Sequence, residues 1–142
     1  MKILVTGGLG LIGHNVVKRL ENEHQVVITD TKTHYTVIPQ AEIDYLMHER
    51  MKHIHNSSIY EWDICNVENM EHLFDRYRFD AVIHMASFPR QKVVNANPME
   101  GSKVMSEGLL NLLELSAKYS VSKFVYMSSS MVYGNFTDDV KE

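Results

Sequence analysis

A single cysteine, Cys65, stands among 142 residues, which excludes an internal disulfide framework and suits a reducing compartment. Proline is scarce as well. Pro39, Pro89 and Pro98 are the full complement, so no proline-rich linker divides the chain. No apolar run approaches the ~18 residues of a membrane span, and the amino end, "MKILVTGG", meets glycine too early for a signal-peptide core. The reading is therefore of a chain with no membrane segment, and the cytoplasm is its expected location. Positive charge is also short: 14 Lys and Arg oppose 18 Asp and Glu, for a net charge of -4. The longest basic cluster is Lys18 with Arg19, which gives no electrostatic footprint for nucleic acid.

What is present is a 44% hydrophobic chain, enough for one domain around a single core. Residues 2–5 form a short apolar run closed by glycine, as a strand buried on both faces does. Residues 11–20 place Ile12, Val16, Val17 and Leu20 on one helical face, and "QVVIT" at 25–29 is again short and β-branched. The alternation continues through "SSIYEWD" as a third strand, "VENMEHLFDRY" as an amphipathic helix and "DAVIHMA" as a fourth strand. A long helix over 98–119 leads into "KFVYMSSS", the fifth. Alternating strands and helices imply a parallel sheet with right-handed crossovers, hence a doubly wound α/β layer; the expected fold is a Rossmann-type sheet of about five strands in the order 3-2-1-4-5, flanked by helices.

One segment departs from the minimal pattern. "AEIDYLMHERMKHIHN", at 41–56, reads as an extra helix inserted between the second and third strands. It carries His48, His53 and His55, but no HxxxH or other compact ligand spacing and no nearby cysteine. Solvated helix surface is the reading, and no metal site is expected.

The chemistry-bearing feature is "TGGLGLIG" at 6–13, directly behind the first strand. A glycine triplet alone is a weak signal. Here it follows a strand, opens a helix, and has an acidic residue, Asp30, closing the next strand about 20 residues on, the pattern of a dinucleotide site. Gly7 permits a tight turn, Gly10 lets backbone approach a pyrophosphate, and Gly13 lets the helix pack closely, so that the helix N-terminus offers free N–H donors to phosphate. Asp30 accepts from both adenosine ribose hydroxyls and repels a 2′-phosphate, which favours NAD over NADP.

The form Thr6-Gly7-x-x-Gly10-x-x-Gly13, followed in order by "WDICN", "AVIHMAS" and "FVYMSSSMVYG", resembles the extended short-chain dehydrogenase/reductase superfamily. Within it the likeness is to the NAD-dependent nucleotide-sugar epimerases and dehydratases, and it extends over essentially the whole chain. The resemblance implies that Leu11 and Ile12 lie at the pyrophosphate turn, that Asp63 and Ile64 hold the adenine, and that Met85, Ala86 and Ser87 line the cofactor's central portion. Phe88, Pro89 and Arg90 would follow at the mouth of the substrate cleft, with Arg90 placed for a sugar-nucleotide phosphate. Ser129, ahead of Tyr133, would hydrogen-bond the reacting sugar hydroxyl, in preference to Ser128 or Ser130. Two departures stand out. Met105 occupies the place of a family asparagine three residues before the helix glycine, Gly108, and Trp62 stands where many relatives have glycine before the Asp.

The resemblance further implies reversible hydride transfer at a sugar carbon, with a UDP-sugar 4-epimerase as the expected activity. A dehydratase, a reductase or a non-catalytic NAD-binding regulatory module are the alternatives. Such chemistry needs a Tyr of a YxxxK pair as its base, the Lys lowering the phenol's pKa. "YSVSK" at 119–123 fits that string, but Tyr119 ends a helix and Lys123 begins a strand, so the two do not share a helical face. The family pair also falls on a later helix. The chain is thus expected to be an NAD-binding N-terminal part, 1–142, without its substrate-binding region and inactive alone. The leucine-rich helix at 98–119 is the expected surface for a homodimer.

Overall fold

The computed structural model describes residues 1–33, 39–88 and 91–134. Among them, parallel strands β1 (Lys2–Thr6), β2 (Gln25–Thr29), β3 (Ser58–Tyr60), β4 (Ala81–His84) and β5 (Lys123–Tyr126) form one sheet in the order β3-β2-β1-β4-β5. The chain winds outward from β1 to β3, returns to β4 beside β1, and winds out again to β5. The reversal puts a topological switch point between β1 and β4, where open α/β sheets hold ligands.

Both faces of the sheet are apolar, which is why the strands read as continuous hydrophobic runs. Leu4, Val27 and Val82 point to one face, joining Met70, Leu73 and Phe74 of helix α3 (Val67–Tyr77) and Leu112 and Leu115 of a later helix in one core cluster. Ile3, Val5, Val26 and Ile28 point to the other, against Val17 of helix α1 (Gly13–Leu20) and Ile43 and Met47 of helix α2 (Gln40–Met51). Each fully buried aliphatic side chain of this kind contributes roughly 1.5–3 kcal/mol over its exposed state.

Helix α2 corrects the sequence reading of 41–56 as an insertion. It is the crossover that a parallel β2-β3 pair requires, and it completes the layer it shares with α1. Its two buried residues are spaced by four, while Tyr45 and Leu46 point to solvent, so its apolar residues form no single stripe that announces burial. His48, His53 and His55 are exposed. The segment after α2 is anchored by Glu21, the C-cap of α1: its carboxylate accepts the N–H groups of His55 (3.0 Å) and Asn56 (3.0 Å) and the hydroxyl of Ser57 (2.8 Å).

The long helix expected over 98–119 is broken into parts. A short helix α4 (Gln91–Ala96), absent from the sequence reading, precedes α5 (Pro98–Ser102); a π-helical turn at Lys103–Glu107 then leads into α6 (Gly108–Lys118). Helix α6 stops where Ser120 takes a left-handed φ of 57°. Strand β5 is shorter than "KFVYMSSS", giving way after Tyr126 to coil and a 3-10 turn at Ser130–Tyr133. No helix among the described residues is long and apolar enough to cross a membrane.

Burial opposes Glu21's charge, but its hydrogen bonds from His55, Asn56 and Ser57 outweigh that and hold the carboxyl below its ordinary value of 4.5. A depressed carboxylate stabilises the fold above its unfolded pKa and loses that contribution as pH falls through the folded value. Glu21→Gln is therefore expected to lower stability by about 1–2 kcal/mol near neutral pH. In urea unfolding, its difference from the parent chain should shrink once pH drops below about 4.

Candidate functional site

At the switch point the carboxyl ends of β1 and β4 all but touch. Gly7 follows β1 with φ of 67°, and a Cβ there would sit 2.7 Å from the backbone nitrogen of Ala86. Conformation and space thus both demand glycine. Gly13 answers a different crowding: a Cβ would fall 2.2 Å from the Gly7 carbonyl oxygen and 2.8 Å from Gly8 Cα. The start of α1 therefore packs on the loop's own backbone, and this folds the loop tightly enough to aim the helix N-terminus outward.

The next donors in that loop are unpaired. Gly10 N–H closes on the Gly7 carbonyl at 3.0 Å, but the N–H groups of Leu11 and Ile12 find no acceptor among the described residues. Their side chains stand in solvent at 72% and 57% exposure. Orphan N–H donors behind a glycine loop at a helix start are what an anion binds.

Asp30, just past β2, lies beside this loop. One carboxylate oxygen accepts the N–H of Leu9 at 2.9 Å and the other the N–H of Lys32 at 2.8 Å. The carboxylate is thereby fixed in direction before any ligand arrives. Lys32 takes a φ of 55° and pairs with Glu61 at 2.7 Å.

Across the sheet, the backbone of Met85 and Ala86 is tied to Thr6. The Thr6 hydroxyl oxygen accepts the N–H groups of Met85 (3.3 Å) and Ala86 (3.2 Å) and lies 2.6 Å from Nδ1 of His84. Because two N–H groups already donate to that oxygen, its own proton goes to His84 Nδ1, leaving the ring proton on Nε2. His84 is 2% exposed and stacks on Tyr126 at 5.6 Å. Burial pushes its imidazole down to about 4, so it is neutral at physiological pH and accepts from Thr6.

The remaining expected residues occupy the same edge of the sheet in part. Asp63 accepts the N–H of Cys65 at 2.9 Å, and Ile64 is 3% exposed with its side chain against Gly108 of α6. Burial, together with the neighbouring Asp63, pushes the Cys65 thiol up to about 12, which leaves it inert. Trp62 packs its ring on Tyr60 and His72, and its carbonyl accepts the Thr29 hydroxyl at 2.8 Å. Ser87 is exposed, and Ser129 follows β5 in exposed coil. Phe88, expected at the mouth of a cleft, is instead 3% exposed in the core. Pro89 and Arg90 lie outside the described residues.

The YxxxK string is not a working pair. Tyr119 caps α6 and donates its hydroxyl to Glu71 of α3 at 3.1 Å, while Lys123 opens β5. Burial and the Glu71 carboxylate push the Tyr119 phenol up, the wrong direction for a base. The sequence reading also missed Arg50 of α2, whose guanidinium donates to the Leu9 carbonyl at 2.9 Å. Its only sequence signal is a cation in a segment taken for surface.

A doubly wound parallel sheet with a glycine loop at its switch point defines a Rossmann-type α/β protein. The profile of the NAD dependent epimerase/dehydratase family matches residues 3–142, and the chain belongs to that family. UDP-glucose 4-epimerase of Neisseria meningitidis serogroup C is 37% identical over 148 residues, a match covering 99% of this chain and 41% of that protein. The bifunctional UDP-glucose 4-epimerase and UDP-xylose 4-epimerase 1 of Pisum sativum is 34% identical, with 94% and 38% covered. Among solved structures, UDP-glucose 4-epimerase with UDP-glucose from Thermotoga maritima aligns with a TM-score of 0.80 at 32% identity, covering 98% of this chain and 41% of that one. The Thermus thermophilus UDP-glucose 4-epimerase in complex with NAD gives 0.72 at 28% identity, covering 91% and 38%. The chain spans about two-fifths of the length of these relatives.

The Thr6–His84 pair carries a pH signature. A histidine whose folded pKa lies below its unfolded value stabilises the fold fully above the unfolded pKa and loses that contribution as pH falls toward the folded one. Stability is expected to decline from about pH 6.5 toward about pH 4. Urea unfolding across that window should show a flatter profile for His84→Gln, which cannot take the charge.

Proposed function

We propose that this chain is the NAD-binding N-terminal portion of a nucleotide-sugar 4-epimerase that acts on a UDP-sugar by reversible hydride transfer at a sugar carbon. The observation that carries the reading is the pair of unpaired N–H groups at Leu11 and Ile12 beside the fixed carboxylate of Asp30. Phosphate-seeking donors and a ribose-seeking acceptor stand on one loop, as a dinucleotide requires. Support comes from the Thermotoga maritima relative, solved with UDP-glucose, and the Thermus thermophilus relative, solved with NAD.

In this reading Gly7, Gly10 and Gly13 shape the loop, and the Leu11 and Ile12 N–H groups hold the pyrophosphate. Asp30 uses the lone pairs not committed to Leu9 and Lys32 to accept from the ribose hydroxyls, and its charge disfavours a 2′-phosphate. Asp63 meets the adenine amine, and Ile64, its side chain turned into the core, offers the ring its backbone edge. Met85, Ala86 and Ser87, held through Thr6, line the central portion. NAD, when bound, supplies the hydride acceptor. Ser129 orients the reacting sugar hydroxyl, and Arg90 pairs with a phosphate of the sugar nucleotide.

Tyr119 is not the base, so under this reading the base and the nucleotide-recognising region belong to polypeptide outside these 142 residues, and the chain alone lacks turnover. A cytoplasmic location accords with the same reading. Met99, Leu110 and Leu113, all exposed at 83%, 58% and 41% along the α5 to α6 stretch, are proposed as the homodimer contact.

Isothermal calorimetry tests the cofactor assignment. NAD should bind with release of heat and NADP at least about tenfold more weakly; Asp30→Ala should cost NAD about tenfold in affinity through lost charge-assisted hydrogen bonds. Unchanged affinity in that variant would remove Asp30 from the site. For the dimer, sedimentation velocity should give a dimer that Leu110→Glu converts to monomer; a monomeric parent chain at high concentration refutes the contact.

A further inference from the structure

Leu9 lies at the centre of the glycine loop, its side chain fully buried with Val17, Ile28 and Ile43. Its two backbone groups are gripped by charged side chains from different elements. The N–H donates to Asp30 at the end of β2, and the carbonyl accepts from Arg50 in the last turn of α2, each at 2.9 Å. The next peptide runs into Gly10, whose N–H closes on Gly7, and then into the unpaired donors of Leu11 and Ile12.

Rotating the Leu9–Gly10 plane changes ψ of Leu9 and φ of Gly10, and on the Gly10 side no side chain opposes the change. A flip would break the Gly10 to Gly7 bond and swing the donors behind it. Two bonds hold the plane: the Gly10 N–H on the Gly7 carbonyl, and the Leu9 carbonyl on one N–H of the planar, directional Arg50 guanidinium. Arg50 is itself anchored by more than the loop: Ile43 and Met47 seat α2 in a core that Val17, Val26 and Ile28 share with Leu9, and Glu21 holds the chain just beyond it.

We propose that Arg50 is a positioning residue of the dinucleotide site, locking the Leu9–Gly10 peptide so that the donors of Leu11 and Ile12 face the pyrophosphate. The role rests on the cofactor reading given above, but its mechanical part belongs to the ligand-free chain. It gives α2 a purpose beyond covering the sheet, since the crossover helix reaches back to set the loop.

Arg50→Met, which keeps the stem but not the fork, and Arg50→Lys, which keeps one donor, separate this role from packing. Amide hydrogen exchange on the ligand-free chain is expected to quicken about tenfold at Leu9 and Gly10 in Arg50→Met while β1 and β4 keep their protection. NAD affinity should fall about tenfold in the same variant, and Arg50→Lys should recover most of both losses. Parental exchange at Leu9 and Gly10 in Arg50→Met overturns the proposal. So does a loss of protection that spreads equally through β1 and β4, which marks a residue that only packs. If the parent chain binds no NAD, the cofactor reading fails alone, and the exchange comparison still decides whether Arg50 holds the loop.

Discussion

The constraint on which the rest depends is the approach of two backbones at the centre of the sheet. β1 and β4 are hydrogen-bonded neighbours whose exits must diverge, one into the glycine loop and the other into the segment at 85–88. They leave so close together that no side chain fits at Gly7, where even a Cβ would overlap Ala86. The Thr6 hydroxyl stitches the two exits by accepting the N–H groups of Met85 and Ala86 and donating a hydrogen bond to buried, neutral His84. The two strand ends are thereby held at a fixed separation, with the glycine loop on one side and residues 85–87 on the other.

The walls are set by charge placed against backbone. Asp30 from β2 and Arg50 from α2 hold opposite polar groups of Leu9, and Glu21 secures the chain that carries α2 onward to β3. These are side chain to backbone bonds across long stretches of sequence, which is how loops without regular structure acquire a single conformation. Preorganisation of this kind means that a ligand need not order the loop on arrival.

The glycine loop and the YxxxK string lie far apart along the chain. The features suited to holding a dinucleotide cluster on β1, β2 and their loops, while Tyr119, the residue that mimics a base, is spent on Glu71 and has its phenol pushed the wrong way. At the outer edge, Val125, Tyr126 and Met127 of β5 and the coil after it are about half exposed.

The sequence alone determined a parallel α/β sheet, because the central strands, buried on both faces, are apolar throughout and helical segments alternate with them; the order 3-2-1-4-5 was legible through the family motifs and not through burial. It also determined the glycine loop and Asp30, since both obey fixed local spacing. Helix α3 was legible to its ends for the same reason, with Met70, Leu73, Phe74 and Tyr77 on one face, while its Asn66 cap emerged only in the fold. Tertiary structure decided what depends on partners distant in sequence. Two buried residues could not mark α2 as a layer helix, and only the β2-β3 pairing does. No spacing rule ties Arg50 to Leu9 across 41 residues, and nothing local distinguishes a Phe88 turned into the core from one at a cleft mouth. The π-helical turn at Lys103–Glu107 likewise interrupts a stretch whose apolar spacing reads as one helix, at the two glycines, Gly101 and Gly108, that flank it. Local periodicity is written into the chain one residue at a time, whereas a carbonyl finds its guanidinium only after the sheet has brought the two together.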